Sequence, residues 1–499
     1  MRYGLVALVG PAMLWTPMAA AQELSGSSVS QVQVHGDNEN GQEDDDDFMI
    51  LAERVELAAS AGELVLGARL DGNLFVTPPH PAYSSDYTLE RISVQWSRDA
   101  VGVLVGDFPV QLGRGLALSL RRAPEVGADL ALRGARVSLD GEVGSASAMA
   151  GVVNAASMDA LSLRAVEEPG DVAAGAQVQL LPGRGLEIGA LSSLVVPRER
   201  LLEAHTDWTA TAGAWLRAQD LPGSGSATLE VDVQQRSLAG VQRPGAAALA
   251  DLGVELGAAH LLLEALWLAD FEIKGSRNTA TGARFDYNQP PTLERVDQEV
   301  QNHRDVLGGR ARIDVPWSSV ATLWASQMVR LGELRSPIAV VQTHGMVGME
   351  LDANGSRWAL AGGLRLERLG LDKLAMLRDM VHLDSDALVP LGHGFSVHSA
   401  TSMQLWRSVD RPFARGSSLL TLDRVDRGAV GAELGLDTQD PSPERRHLYL
   451  AAVVSVALLP ELTLRATAGS QRGGIRCVGG VCREVPSFAG TRGELELRF

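Results

Sequence analysis

Along most of this chain apolar and polar residues alternate one by one. In "ELVLGARLDGNLFV" one set holds Leu64, Leu66, Ala68, Leu70, Gly72, Leu74 and Val76, and Glu63, Arg69, Asp71 and Asn73 lie between them. "DWTATAGAWLRA" sets Trp208, Ala210, Ala212, Ala214 and Leu216 against Thr209, Thr211, Gly213 and Arg217. "SATLEVDVQ", "RWALAGGLRLE" and "ELTLRATAG" do the same from Ala227, Trp358 and Leu462 onward. Successive Cβ atoms of an extended chain point to opposite sides, so a period of two marks strands with one apolar and one wet face. The last residues, "GELELRF", alternate too: Leu495, Leu497 and Phe499 on one side, Glu494, Glu496 and Arg498 on the other.

These segments are longer than the usual 5–6 residues of globular strands and reach the roughly 9–11 that a tilted membrane strand needs. Their polar face carries charges and small residues rather than the makings of a second core, which suits a wet barrel interior. The connections alternate in length. Short ones read Leu181-Pro182-Gly183-Arg184, Leu221-Pro222-Gly223-Ser224, Val315-Pro316-Trp317-Ser318, Asp352-Ala353-Asn354-Gly355 and Leu459-Pro460, where Pro and Gly preset turn geometry. Longer polar stretches, such as Lys274 to Arg304 and Leu369 to Ser396, fall between them. The expected fold is all-β: one large transmembrane antiparallel β-barrel over residues 50–499, with about 16–22 strands, best 18–20.

Composition refines this picture. An apolar run from Gly4 to Met18 follows Arg2 and ends in Ala19, Ala20, Ala21 and Gln22, the pattern of a secretory signal peptide over residues 1–21 cleaved between Ala21 and Gln22. Residues 22–49 end in Glu43, Asp44, Asp45, Asp46 and Asp47 and read as an acidic, disordered lead-in. A solvated linker is preferred over a calcium site there. A net charge of −17 argues against a nucleic-acid partner. No later segment approaches the 18 or so uninterrupted apolar residues of a transmembrane helix, which leaves a barrel as the membrane option. Both cysteines, Cys477 and Cys482, flank "VGGV" before the final strand. A small-loop disulfide suits an exported protein, with two free thiols as the other reading.

The candidate lumen groups are Arg69, Asp71, Arg91, Glu230, Asp232, Glu264, Arg357, Arg365, Glu367, Arg465, Glu494 and Glu496. Opposed charges in a pore set ion preference, and the same groups can also pair and fill the interior. "GHGFSVHSATS" offers His393, Ser396, His398 and Ser399, with His382 and Asp384 nearby, but its spacing matches no nucleophile elbow and reads as a wet strand face. Gly113-Arg114-Gly115 and Gly183-Arg184-Gly185 lack the Lys-Ser/Thr of a phosphate loop and read as turns. "LDKLAMLRDMVHL" spaces Leu371, Leu374, Leu377 and Val381 at helical intervals and is expected as a short loop helix. Nine Trp and five Tyr are few for two full aromatic girdles around so large a barrel; Trp96, Trp208, Trp267 and Trp358 fall on the apolar set.

Two likenesses bear on these residues. The terminal "LELRF", with Leu495, Leu497 and a final Phe499, resembles the C-terminal signal of bacterial outer-membrane barrels, which implies recognition by the barrel-assembly machinery of a Gram-negative cell. "VGDFPVQLGRGLALSLRR", Val105 to Arg122, resembles a segment of a family of uncharacterised outer-membrane proteins in which a Gly-Asp-Phe strand end precedes a Gly-rich return. The resulting expectation is an integral outer-membrane protein with both mature termini periplasmic. It passes small polar solutes or ions through a charged lumen, without cofactor, metal or covalent chemistry. Its partners are outer-membrane lipid and the assembly machinery, with a homo-oligomer as a further option. The alternatives are a barrel serving an export, polysaccharide-secretion or surface-motility assembly through secretion partners, and an outer-membrane hydrolase acting through Ser396 or Ser399.

Overall fold

The computed structural model describes residues 23–499 apart from 42, 124–126, 184, 199–206, 223, 294–303, 337, 372–373, 443–444 and 479–480. Twenty-four strands pair in sequence order, each antiparallel to the next, into one closed barrel. The ring closes where Glu23–His35 pairs with Phe488–Arg498, in register from Ser27↔Arg498 to His35↔Gly490. Gly26 and Phe499 complete the seam by exchanging backbone hydrogen bonds of 2.7 and 3.0 Å.

The alternation sorts as expected. Leu64, Leu66, Leu70, Leu74 and Val76 are exposed on the outer face, while Arg69, Asp71 and Asn73 are buried on the inner one. Leu229, Val231 and Val233 face out, and Glu230, Asp232 and Gln234 are buried inside. A closed ladder with an apolar outer band pairs backbone groups without water, the condition for crossing a hydrocarbon layer. Trp317, Trp358 and Phe499 are exposed toward one rim, Tyr87 and Trp267 toward the other, the positions where amphipathic rings anchor a barrel between lipid and water.

All connections at the rim that holds Glu23 and Phe499 have two or three residues, whereas at the far rim they reach the length of residues 270–305. The Pro- and Gly-rich turns fall on the near rim as expected, although Val306–Ser318 runs two residues beyond Pro316, through a register shift, before it turns.

Three expectations are corrected. The segment 22–49 is not a lead-in: Glu23–His35 is the first barrel strand, and only residues 36–48 form a connection. Its Ser- and Gln-rich sequence hides the alternation of Val32 and Val34, which face out, against buried Gln33. The described residues of the stretch Leu369 to Ser396 form no long loop and hold no helix. Ala375–Gly392 is the longest strand of the barrel, paired along both edges. Its Leu377 and Val381 fit both periods locally, and the two flanking ladders select the extended one. Each of these segments adds one strand, and the barrel has 24 strands where 16–22 were expected. The signal-peptide reading and its cleavage point at Ala21 and Gln22 lie outside the described residues.

Candidate functional site

The lumen contains a folded insertion. After the strand Val101–Phe108, Pro109 turns the chain inward, and Val110–Leu112 and Leu118–Leu120 form a small hairpin inside the barrel. Its turn uses Gly113 (φ +54°) and Gly115 (φ +88°), left-handed conformations that glycine adopts without steric cost. A side chain at Gly113 would also collide with Glu230 on the wall. This is the Val105 to Arg122 stretch, and its Gly-rich return is a turn as expected.

Residues 270–293 of the far-rim connection fold in beside the hairpin, with the short strands Lys274–Arg277 and Arg284–Asp286. The two insertions and the inner wall share an apolar core. Val110, Leu112, Leu118 and Leu120 pack with Leu132, Val153, Leu191 and Val195 of the wall and with Ile273, Phe285 and Tyr287 of the connection. Leu116, Leu249, Leu266, Phe271 and Leu293 make a second cluster. The expectation of a wholly wet interior therefore fails over this arc. The signal lies in strands apolar on both faces, such as "AHLLLEALWLA" over Ala259–Ala269, the pattern of strands covered on both sides.

Polar contacts lock the insertion. The backbone N–H of Arg114 donates to Glu230 Oε2 at 2.8 Å, and its guanidinium pairs with Asp251 at 2.6 Å. Ser119 N donates to the Tyr287 carbonyl at 2.7 Å and Gln289 N to the Gly115 carbonyl at 2.8 Å. Asp171, fully buried at the start of the wall strand Val172–Gly183, accepts from Tyr287 Oη, Ser276 N and Arg198 N, each at 2.7 Å, and from the Ser276 hydroxyl. Burial, and then the Asp171 carboxylate, push the Tyr287 hydroxyl well above its ordinary pKa.

Above the insertion lies a vestibule of 1420 Å³ at the far rim, lined by Asp129, Lys274, Asp286, Arg304, Arg415, Arg446 and Tyr449 among others. Below the hairpin a smaller cavity of 260 Å³ is lined by Gln111, Arg136, Ser147 and Gln177. Burial sets the pKa of Asp286 above the ordinary carboxylate value, against the opposing pull of its ion pair with Lys274.

The proposed lumen groups all lie on the inward face, but most are partnered rather than free. Arg69 pairs with Asp71 and Asp129, and Asp71 also with Arg54 at 3.1 Å. Arg91 pairs with Asp129 at 3.0 Å, Glu264 with Arg310 at 2.8 Å, and Arg465 with Glu494 and Glu496 at 2.6 and 2.8 Å. Arg365 and Glu367 form a buried pair, and Glu367 also takes Arg378 at 2.5 Å. Glu230 and Asp232 are fully buried under the hairpin. Arg357 stays exposed near its turn.

Sequence reasoning did not foresee the chain that runs from His344 Nε2 to His382 Nε2 (2.8 Å) and from His382 Nδ1 to Asp384 (2.6 Å). Gly363, which lies between the two histidine strands, makes room for it. His398 pairs with Asp386 at 3.0 Å, and among the described residues no hydrogen bond joins Ser396 or Ser399 to a histidine. No group of three or more His, Cys, Asp or Glu residues with metal-holding geometry occurs among the described residues.

At the far rim Gly474–Val478 and Val481–Val485 form a hairpin with Cys477 opposite Cys482 in register. Their side chains lie outside the described residues.

The barrel resembles that of the siderophore receptor PirA from Pseudomonas aeruginosa, with a TM-score of 0.51 and 10% identity, over 96% of this chain and 80% of that one. The likeness is one of fold, a single closed antiparallel β-barrel. The alcaligin outer-membrane receptor FauA from Bordetella pertussis is more distant, with a TM-score of 0.48 and 8% identity over 96% and 76% of the two chains. Residues 437–499 match a family of unknown function, DUF6029. That match covers the last three strands and the cysteine hairpin. No curated protein matches the chain.

Proposed function

We propose that this barrel carries small polar or charged solutes across the outer membrane, with the hairpin Val110–Leu120 and the connection 270–305 as a resident constriction. The observation that carries the reading is the position of the insertion: it stands between the far-rim vestibule and a polar cavity toward the near rim. Barrels of 16–18 strands already leave an aqueous channel, and larger ones hold a plugged lumen. With 24 strands an unfilled ring would be unselective, so a constriction built from the chain itself gives selection. Passage then depends on polar groups of both signs along the path, which orient a solute without trapping it. The near rim, with its short turns and both described ends, is the periplasmic side in this reading.

The test is single-channel conductance of the refolded protein in a planar bilayer. A variant with residues 110–120 replaced by a short Gly-Ser link is compared with the native chain. Small, ion-selective steps that grow several-fold and lose selectivity on deletion support the reading. Equal conductance from both forms sinks it. A native barrel that is silent, and a deletion that conducts, would favour a barrel whose insertion is displaced by an export partner.

A further inference from the structure

The strand Val101–Phe108 is the shortest of the barrel wall. On one side Asp86–Arg98 pairs with it only from Ser93↔Gly106 to Arg98↔Val101, and on the other Ala128–Gly141 pairs with it only up to Phe108↔Leu132. Above that level Arg122–Ala123 returns from the lumen and pairs with Ala128 and Asp129; residues 86–92 stay paired with Leu64–Val76 on one edge, but among the described residues no ladder joins their other edge to Val101–Phe108, Arg122–Ala123 or Ala128–Gly141. The break is written into "GDFP". Gly106 sits at φ +111°, and a Cβ there would lie 2.1 Å from the Ile92 carbonyl oxygen. Pro109 then removes the next backbone donor.

Side chains close the breach. Asp107 accepts Ile92 N at 2.9 Å, Arg133 Nε at 3.0 Å and Asn154 Nδ2 at 2.7 Å. Arg133 and Asn154 also donate to the Glu90 carbonyl at 3.1 and 3.0 Å, and Arg91 reaches Asp129 at 3.0 Å. Asp107, Asn154 and Glu90 are buried. Yet the outer face around them is apolar and exposed, at Leu89, Ile92, Val105 and Val137. The polar seam thus lies at lipid level, where such groups are costly and mark functional positions. Its inner side borders the vestibule at Asp129, Leu130, Ala155 and Ala156.

We propose that this seam is a lateral portal through which a single-chain anionic amphiphile passes between the vestibule and the lipid. Elsewhere an opening would expose unpaired N–H and C=O groups to hydrocarbon. Here no ladder is broken: only the Ile92 N–H and the Glu90 carbonyl lose side-chain partners, and the Arg133 guanidinium, 41% exposed and shared between Asp107 and Glu168, turns from a carboxylate to the anionic head group. The alkyl chain follows Leu89, Ile92 and Val105. The axial path is not needed for this exchange, so the portal and the solute-channel reading stand or fall separately.

The full chain in liposomes is irradiated with photoreactive single-chain amphiphiles, one a lysophosphatidic acid and one a long-chain carboxylate, and the adducts are mapped. Adducts are expected at the vestibule-side residues Ala155 and Ala156 as well as on the lipid face at Val137. Bridging Arg91→Cys to Asp129→Cys with a short bis-maleimide, which adds both thiols, with Cys477 and Cys482 changed to serine, should lower the vestibule-side adducts at least tenfold and leave Val137 labelling unchanged. Asp107→Ala should raise them about threefold, the opposite of what a folding defect gives, and Arg133→Gln should lower them. Labelling by one probe alone identifies the head group. Vestibule-side adducts that are absent from the native barrel, or that persist in the bridged one, overturn the portal.

Discussion

Tyr287 Oη donates a 2.7 Å hydrogen bond to Asp171, and through this contact a loop residue inside the barrel is tied to the wall. The carbonyl of the same tyrosine accepts from Ser119 of the lumen hairpin. One residue therefore couples the wall, the connection 270–305 and the hairpin.

Tyr287→Phe leaves Asp171 with its Ser276 and Arg198 contacts, so the expected loss is modest, about 1–3 kcal/mol on the seating of the insertion. The measurement is conductance, with noisier and larger steps expected. The pH dependence has a definite sign. A hydroxyl whose pKa is raised by folding supports the fold fully below its ordinary value of about 10, and that support is lost as the pH rises through the higher folded value. Native steps should stay constant across neutral pH and destabilise only above about pH 10. The Phe variant should lack that alkaline transition.

Leu118→Ala tests the apolar core of the insertion. Leu118 is fully buried among wall and loop side chains, and truncation of such a leucine costs about 2–5 kcal/mol. Proteolysis of the hairpin in the folded barrel should accelerate, while the heat-modifiable gel mobility of the barrel itself stays unchanged. Equal protection would show that polar contacts alone seat the hairpin.

Gly26→Val tests the seam. A Cβ at Gly26 would lie 2.8 Å from both the Phe499 ring and the Glu56 carbonyl, so the bulkier residue obstructs the last ladder contacts. Refolding yield, read from heat-modifiable mobility, should fall severalfold. Trimming the ring by Phe499→Ala in the same chain should restore part of it. No rescue would place the defect at Glu56 instead.

Glu367→Gln leaves the buried Arg365 and its neighbour Arg378 without their carboxylate. Removal of one partner from a buried pair costs about 3–5 kcal/mol. The urea midpoint of barrel unfolding should drop accordingly, and Arg465→Gln, at a half-exposed pair, should shift it by less than about 1 kcal/mol.

The register opposition of Cys477 and Cys482 is the arrangement a cross-strand disulfide requires. Thiol titration of the unfolded, unreduced protein should find no free thiol. Two free thiols would assign the pair to the other reading.

The barrel was legible residue by residue because the period of two is a local property: Leu64 to Val76 sort their faces without reference to any neighbour. Sorting failed where the local signal was weak or double. Glu23–His35 carries serines on its outer positions, and Ala375–Gly392 opens with Leu377 and Val381, whose spacing serves a helix equally well. Only pairing along both edges decides such segments, and pairing is non-local. The partnering of the lumen charges was equally hidden. Arg69 and Asp129 are sixty positions apart in sequence and meet only because the strand between them stops short.

Strand character, the direction of each face, the near-rim turns and the closing Phe499 follow from the order of residues, since each rests on steric and hydrophobic preferences within a few positions. Tertiary structure alone decided that twenty-four strands close the ring, that Val110–Leu120 folds inward to build a core in a lumen of this size, and that "GDFP" opens the wall where polar side chains must seal it. Each of these depends on which distant surfaces meet, and burial energy becomes available only once they do.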